Sequence, residues 1–215
     1  MIDLHTHTLL SDGALLPSEL ARRAEVIGYK VMAFTDHVDH SNLDYVVTSI
    51  LMVCKVINAR GGLRVIPGVE ITHVSPAQFG DLAARARALG AKIVVAHGET
   101  LVEPVAPGTN RAAIEAGVDI LAHPGLISEE EVELAMERRV LLEITTRKGH
   151  SLSNGHVARL AMKLKAGLVI NTDTHDPQDL VERSMAERIL MGAGLTPDTV
   201  HAVFKNSEAL VQRLK

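Results

Sequence analysis

Histidine and carboxylate residues occur in this chain at spacings that suit metal binding. His5 and His7 are one residue apart, and Asp12 follows them in a Ser-Asp-Gly turn. Side chains at i and i+2 of an extended segment point to the same side, so His5 and His7 can bind one metal ion. Asp173 and His175 have the same spacing. Neutral imidazole and carboxylate donors suit Zn, Mn, Fe or Co, which favours hydrolysis by metal-activated water.

Parallel strands are the elements that must position these residues. Short apolar runs typical of buried strands alternate with helix-like stretches, and the runs are MIDLHTH, KVMAFTD, LRVIPGVEIT, KIVVAHG, DILAHPG, VLLEITT and LVINTDTH. This alternation predicts an α/β fold with right-handed crossovers, as a barrel or an open sheet, in a single domain over residues 1–215.

Capping signals mark the ends of the predicted helices. Gly28, Gly90, Gly117 and Gly167 stand just before the next strand, where a left-handed residue ends a helix. Ser128 begins the sequence SEEE, which predicts a capping box at the start of another helix.

Candidate metal ligands stand at the end of almost every predicted strand. The carboxyl ends of parallel strands converge on one face of an α/β fold, where active sites form. The convergence of so many candidates, rather than any single histidine, predicts a metal centre. These residues are His5, His7, Asp36, His37, Glu70, His97, Glu99, His123, Asp173 and His175.

The motifs that carry these residues resemble those of the PHP (polymerase and histidinol phosphatase) superfamily. The matching segments are DLHTHTLLSDG, FTDH, PGVEIT, VVAHGE, LAHPG and NTDTHDP, in the family's order over residues 3–175. The resemblance implies a distorted (β/α)7 barrel similar to a TIM barrel. It also implies about two to three divalent metal ions, with a nine-residue ligand set of His5, His7, Asp12, His37, Glu70, His97, His123, Asp173 and His175.

The resemblance further implies how a trinuclear site shares these ligands. Glu70 would bridge the first two ions, and Glu70, Asp173 and His175 are the expected catalytic residues. The groups would be His5, His7, Glu70 and Asp173 for the first ion, Glu70, His97 and His123 for the second, and Asp12, His37 and His175 for the third.

The expected reaction is hydrolysis of a small phosphate monoester. Metal ions a few ångströms apart lower the pKa of a bridging water, and the resulting hydroxide can attack phosphorus in line. Histidinol phosphate, a nucleotide or a bisphosphate are candidate substrates. Arg147 and Lys148, which follow the strand VLLEITT, are candidates for binding substrate phosphate. Asp3, Asp36 and Glu99 are candidates for orienting the metal ligands through hydrogen bonds.

Two other functions stay open at this point. Amidohydrolases, which hydrolyse at carbon, also combine a β/α barrel with an H-x-H motif on the first strand, but here Glu70 takes the bridging position that a lysine carbamate commonly fills. The second alternative is a metal-binding module without catalytic activity. The roles of His40, His73, His150 and His156 are also left open.

Composition narrows the class of protein. The 215 residues are 47% hydrophobic with a net charge of −4, which argues against a nucleic-acid groove. The single cysteine, Cys54, excludes an internal disulfide and fits a reducing compartment. The sequence shows neither a signal-peptide pattern nor an apolar run long enough to span a membrane, so we expect a cytoplasmic protein. Apolar helix faces leave room for a homo-oligomer.

Overall fold

The structure is a computed structural model that describes residues 1–214. Its strands are β1 (Ile2–Asp3), β2 (Val31–Phe34), β3 (His37–Val38), β4 (Arg64–Ile71), β5 (Ile93–His97), β6 (Ile120–Ala122), β7 (Leu141–Thr145) and β8 (Leu168–Asn171). Its α-helices are α1 (Pro17–Ile27), α2 (Leu43–Arg60), α3 (Phe79–Leu89), α4 (Thr109–Glu115), α5 (Glu129–Arg138), α6 (Asn154–Leu164), α7 (Arg183–Gly192) and α8 (Pro197–Arg213).

The strands form one parallel sheet whose order, β1-β2-β4-β5-β6-β7-β8, follows the chain. The strands β2 and β3 both pair with β4. Val31 pairs with Arg64 and His37 pairs with Glu70, so the paired residues are 33 positions apart in the sequence in both strands. β2 and β3 therefore act as one interrupted strand. The structure confirms the predicted seven-stranded α/β barrel.

The barrel closes between the ends of β1 and β8 rather than along them. β1 is shorter than the predicted strand MIDLHTH and covers only Ile2–Asp3. Beyond it, the His7 N–H donates to the Thr174 carbonyl at 2.9 Å, and the Asp173 N–H donates to the His5 carbonyl at 3.0 Å. The segments that carry four of the predicted ligands thus hold each other directly.

The helix ends follow most of the capping predictions. Gly28 and Gly90 are left-handed C-caps, and Ser128 forms the predicted capping box. The Gly167 prediction is wrong, because α6 ends at Leu164 with a left-handed Lys165. Gly167 is instead a site of close approach, where an added Cβ would lie 2.5 Å from the Leu141 side chain. No predicted capping residue stands at either end of α7.

Two apolar layers hold the fold together. The larger one lies between the sheet and the surrounding helices and includes the buried thiol of Cys54. The smaller one fills the barrel interior, with Leu4, Ile66, Ile93 and Val169 among its members, and α8 adds Leu210 and Val211 to it. No helix within residues 1–214 combines the length and the apolar character that a membrane span requires.

Candidate metal centre

The interior face of the strands changes from apolar to polar as the strands reach their carboxyl ends. Side chains two residues apart share a face, so β4 continues the interior face from Ile66 to Glu70 and β8 continues it from Val169 towards Asp173. The same alternation brings Glu143 of β7 inside the barrel. Glu143 is fully buried. The polar end of the interior is therefore built by strand geometry.

A buried group of two imidazoles and two carboxylates forms the deepest part of this end. His5 Nε2 lies 3.2 Å from Glu70 Oε1 and 3.6 Å from Asp173 Oδ1. His7 Nε2 lies 3.1 Å from Asp173 Oδ1 and 3.6 Å from Glu70 Oε2. The structure thus brings together the four residues expected to share the first ion.

A second group lies nearer the solvent. Asp12 Oδ1 is 3.1 Å from His175 Nε2 and 3.5 Å from His37 Nε2, and the Asp12 side chain is 58% exposed. His37 Nδ1 also reaches Glu70 Oε2 at 2.7 Å, so Glu70 touches both groups. These residues match the third predicted ligand set.

The residues expected to hold the second ion are only partly assembled. His123 Nε2 lies 3.7 Å from both Glu70 Oε1 and Asp173 Oδ2. His97 packs its ring against His123 with centroids 4.5 Å apart, but its Nε2 faces Glu103 at 3.0 Å. Glu103 stands in an irregular loop after β5 and was not among the predicted site residues.

The donor atoms of this end fit a bound cation. Four groups of candidate ligands within residues 1–214 have donor atoms within 4.8 Å of one another, and three of the groups consist only of predicted ligands: His7, Asp12, His37 and His175; His5, His123 and Asp173; and His5, His7 and Glu70. Within residues 1–214, buried Nε2 atoms of His5 and His7 and Oε1 of Glu70 have no hydrogen-bond partner. Leaving such atoms unpaired costs roughly 1–3 kcal/mol each, which a coordinated metal ion would offset.

Electrostatics shift the imidazole pKa values in both directions. Against the effect of burial, the carboxylates of Glu143, Glu70 and Asp173 raise the pKa of His5 well above its usual value, and Glu70 raises the pKa of His37, whereas two other buried histidines are held in the neutral form. Burial, together with the neighbouring His37 and His175, lowers the pKa of His7 well below its usual value. Burial also lowers the pKa of His123 well below its usual value. Burial raises the pKa of Asp173 to about 7, and a bound cation would oppose that shift. Neutral imidazole is the protonation state that a metal ion requires.

The residues predicted to orient the ligands bind backbone N–H and hydroxyl groups instead of the imidazole rings. Asp3 accepts hydrogen bonds from the Thr172 hydroxyl at 2.6 Å and from the His5 N–H at 3.3 Å. Asp36 accepts hydrogen bonds from Thr8 and Ser11, which hold the segment before Asp12. Glu99 accepts the Asn110 N–H at 2.9 Å and so fixes its own loop.

The carboxylate that meets a ligand ring is Glu143. Glu143 Oε2 lies 2.9 Å from His5 Nδ1 and also accepts a hydrogen bond from Asn171 Nδ2 at 2.8 Å. This arrangement leaves His5 Nε2 free to face Glu70 and Asp173. Sequence reasoning missed Glu143, although a charged residue on the interior face of a buried strand was a usable signal.

An open cavity of about 310 Å³ lies above the clustered ligands, and Arg147 and His150 line it. Arg147 Nη1 donates to the Asp173 carbonyl at 2.9 Å and contacts His175 Nδ1. Lys148 is exposed and is not part of the lining, which argues against its predicted phosphate contact. A cavity of this size can hold a small substrate.

The four histidines left open by the sequence fall in different places. His150 is buried and stacks on His123 with centroids 4.2 Å apart, and His73 lines the cavity. His156 bonds to the Ile127 carbonyl, away from the cavity lining, and His40 is exposed.

Comparisons with known proteins agree with the motif resemblance. The PHP domain model matches residues 3–147. An uncharacterized protein of Methanocaldococcus jannaschii is 45% identical over 196 residues, which are 90% of this chain and 90% of that protein. A probable phosphatase of Clostridium botulinum is 26% identical over 220 residues, covering 93% of this chain and 89% of the relative. These matches confirm the resemblance and support the expected metal-dependent phosphatase.

Solved structures show the same fold at low sequence identity. A chain in the cryo-EM structure of archaeal ribonuclease P with mature tRNA has a TM-score of 0.76 at 20% identity, covering 98% of this chain and 90% of that one. Histidinol phosphate phosphatase from Lactococcus lactis, complexed with zinc, L-histidinol and phosphate, has a TM-score of 0.61 at 15% identity, covering 91% and 94%. Both likenesses concern the barrel alone.

Proposed function

This chain belongs to the PHP domain family, and we propose that it is a metal-dependent phosphatase that hydrolyses a small phosphate monoester. The observation that carries the proposal is the cluster of buried imidazole and carboxylate atoms around Glu70 and Asp173, several of them without hydrogen-bond partners. Such a cluster is costly in an apoprotein and useful in an enzyme that binds divalent ions.

We assign the nine predicted ligands to metal binding, with Glu70 at their centre. Glu70 contacts His5, His7, His37 and His123 through its two carboxylate oxygens. A carboxylate in this position can bridge neighbouring ions. Bound divalent ions would supply a nucleophilic water of lowered pKa and positive charge beside the phosphoryl oxygens.

The protein's own groups orient the ligands and the substrate. Glu143 accepts a hydrogen bond from the Nδ1–H of His5, which fixes the ring and leaves the Nε2 lone pair, on the side of Glu70, free to bind a metal ion. Arg147 presents its guanidinium to the cavity, where its planar fork can pair with two phosphoryl oxygens. His150 is held by the Thr100 hydroxyl at 2.7 Å and can contact the leaving group.

The substrate class follows from the size of the cavity and from the relatives. A cavity of about 310 Å³ suits a small phosphorylated molecule better than a polymer. Histidinol phosphate is a candidate because the Lactococcus lactis enzyme with this fold was solved with L-histidinol and phosphate. Nucleoside monophosphates and bisphosphates carry the same reacting group and stay candidates.

A substrate panel tests the proposed function. Metal-loaded protein is assayed for phosphate release from histidinol phosphate, nucleoside monophosphates and bisphosphates, with an oligoribonucleotide, a lactone and a cyclic amide as contrasts, and Glu70→Gln gives the background rate. We expect release from at least one monoester. Turnover of the lactone or the cyclic amide with no phosphate release would favour hydrolysis at carbon and contradict the proposal.

A further inference from the structure

Four side chains outside the deep part of the site gather at the mouth of the cavity. We call His73, His97, Glu103 and His150 the outer cluster. Glu103 Oε2 lies 3.0 Å from His97 Nε2 and 3.1 Å from His73 Nε2, and Glu103 Oε1 lies 3.4 Å from His150 Nε2. One carboxylate therefore faces three imidazole nitrogens. His73, His150 and Glu103 lie outside the nine-residue family pattern, and His97 belongs to it.

Backbone conformation sets His73 apart from an ordinary surface histidine. Five non-glycine residues within 1–214 have positive φ. Two of them, Arg139 and Lys165, end helices. The other three are His73 at 53°, His123 at 30° and Asp173 at 52°. Strain of this kind concentrates at functional sites, and it groups His73 with two proposed metal ligands.

The loop that carries Glu103 is fixed at several points. The Glu99 carboxylate accepts the Asn110 N–H at 2.9 Å, and the Asn110 side chain accepts the Glu99 N–H at 3.0 Å. Thr100 bonds to His150, which brings the loop against a second member of the outer cluster. These hydrogen bonds fix the loop that positions Glu103 beside His73 and His97.

We propose that His73 and Glu103 join His97 in a divalent-metal site at the mouth of the cavity, so that His97, whose Nε2 faces Glu103, binds this ion instead of the second ion of the family pattern. Their donor atoms lie within 4.8 Å of one another. Two imidazoles and one glutamate are a donor set that binds catalytic zinc and leaves a fourth position open. Ligands about 2.1 Å from a tetrahedral ion stand roughly 3.4 Å apart, close to the 3.0 and 3.1 Å separations seen here. The open position would face the cavity and take water or an anionic oxygen.

The inference goes beyond the proposed phosphatase function, because it concerns metal binding and needs no turnover. The competing explanation is an ion pair in which His73 and His97 donate protons to Glu103 without a metal ion. A metal measurement separates the two explanations, because an ion pair makes no contribution to metal stoichiometry.

The test measures metal content and zinc affinity of the full-length protein by elemental analysis and titration calorimetry. The variants are Glu103→Gln, which keeps the shape, and His73→Asn, because asparagine tolerates positive φ. The matched controls are His40→Asn and Glu137→Gln, which make the same substitutions at exposed positions. We expect both variants to lose one ion per chain, or to bind it more than about 100-fold more weakly, and both controls to match the wild type.

The result that would overturn the outer site is unchanged stoichiometry and affinity in both variants while the wild type is fully loaded. A wild type that binds no metal would overturn both the outer site and the proposed function, so the two failures are distinguishable. The side chains of His73 and Glu103 are 41% and 36% exposed, so we expect the fold to tolerate their replacement. Thermal unfolding of each variant checks this.

Discussion

The two ends of the barrel interior differ in what they hold. At the amino end of the strands, Ile66, Ile93 and Val169 pack with Leu210 and Val211 of α8. At the carboxyl end, the same strands present Glu70 and lead to Asp173, both buried and both close to imidazoles. The interior face of the strands thus changes from closely packed apolar side chains to a polar cluster within a few residues.

This difference indicates that the apolar end contributes to the stability of the fold and the polar end to its chemistry. Buried apolar side chains at the amino end stabilise the barrel by roughly 1.5–3 kcal/mol each. The polar end has a cost, because buried carboxylates and imidazoles lose hydration. We therefore expect substitutions at the polar end to change metal binding and rate, and substitutions at the apolar end to change the free energy of unfolding.

The largest expected effect comes from Glu70→Gln. The substitution keeps the shape but removes a negative charge that contacts four imidazoles. We expect kcat/KM for phosphate release to fall by at least about 10³-fold, with fewer bound ions in elemental analysis. A variant that kept wild-type metal content and rate would contradict the assignment of metal binding and catalysis to the polar end.

The next effect is on stability, at the opposite end. Leu210 is buried in the interior layer, and Leu210→Ala should lower the free energy of unfolding by about 2–5 kcal/mol. Exposed Leu126 provides the control, since Leu126→Ala should change it by less than about 0.5 kcal/mol. Denaturant titration measures both. Loss of metal affinity in folded Leu210→Ala protein would contradict the account.

A smaller effect is expected from Glu143→Gln, which tests whether Glu143 belongs to the metal-binding end of the interior. Glu143 holds His5 Nδ1 at 2.9 Å. Removing its charge should weaken metal binding by about 10–100-fold, as measured by competition with a chelator. The exposed Glu130→Gln variant serves as the control. Unchanged metal affinity would mean that Glu143 only packs the interior.

The smallest effect concerns substrate and not metal. Arg147→Ala should raise KM for a phosphate ester by roughly 10-fold, because a hydrogen bond to a charged group contributes about 1.5–3 kcal/mol. Metal content should stay at the wild-type value. Lys148→Ala, at an exposed neighbour outside the cavity lining, should change neither quantity. Equal kinetics for Arg147→Ala and wild type would remove Arg147 from substrate binding.

The barrel was predictable because its signals are local and periodic. Apolar runs, capping residues and the β/α alternation identify every strand except the short β3, whose segment reads as the end of β2. No capping signal predicts α7, because Glu182 stands at its N-cap and Ala193 at its C-cap, and neither is a usual capping residue. β1 is shorter than predicted because its ligand-bearing end bonds to the segment after β8 as an isolated bridge.

The site was predictable where ligands stand at strand ends and missed where they do not. Glu103 lies in a loop without periodicity, so no pattern could place it against His97. Asp3 and Asp36 are predicted to orient the metal ligands through hydrogen bonds, and both carboxylates bind backbone or hydroxyl groups rather than an imidazole ring. Spacing predicts which face a side chain takes, but three-dimensional packing decides which partner it meets.

The polar end of the barrel is proposed to bind the ions that drive phosphate release. The direct test removes all metal from the wild type with a chelator and follows phosphate release and Tm as zinc or manganese is added back in measured equivalents. We expect activity and Tm to rise together and to saturate at about two ions per chain or more. Full phosphate release without metal, or saturation of binding with no release from any monoester, would contradict the proposal.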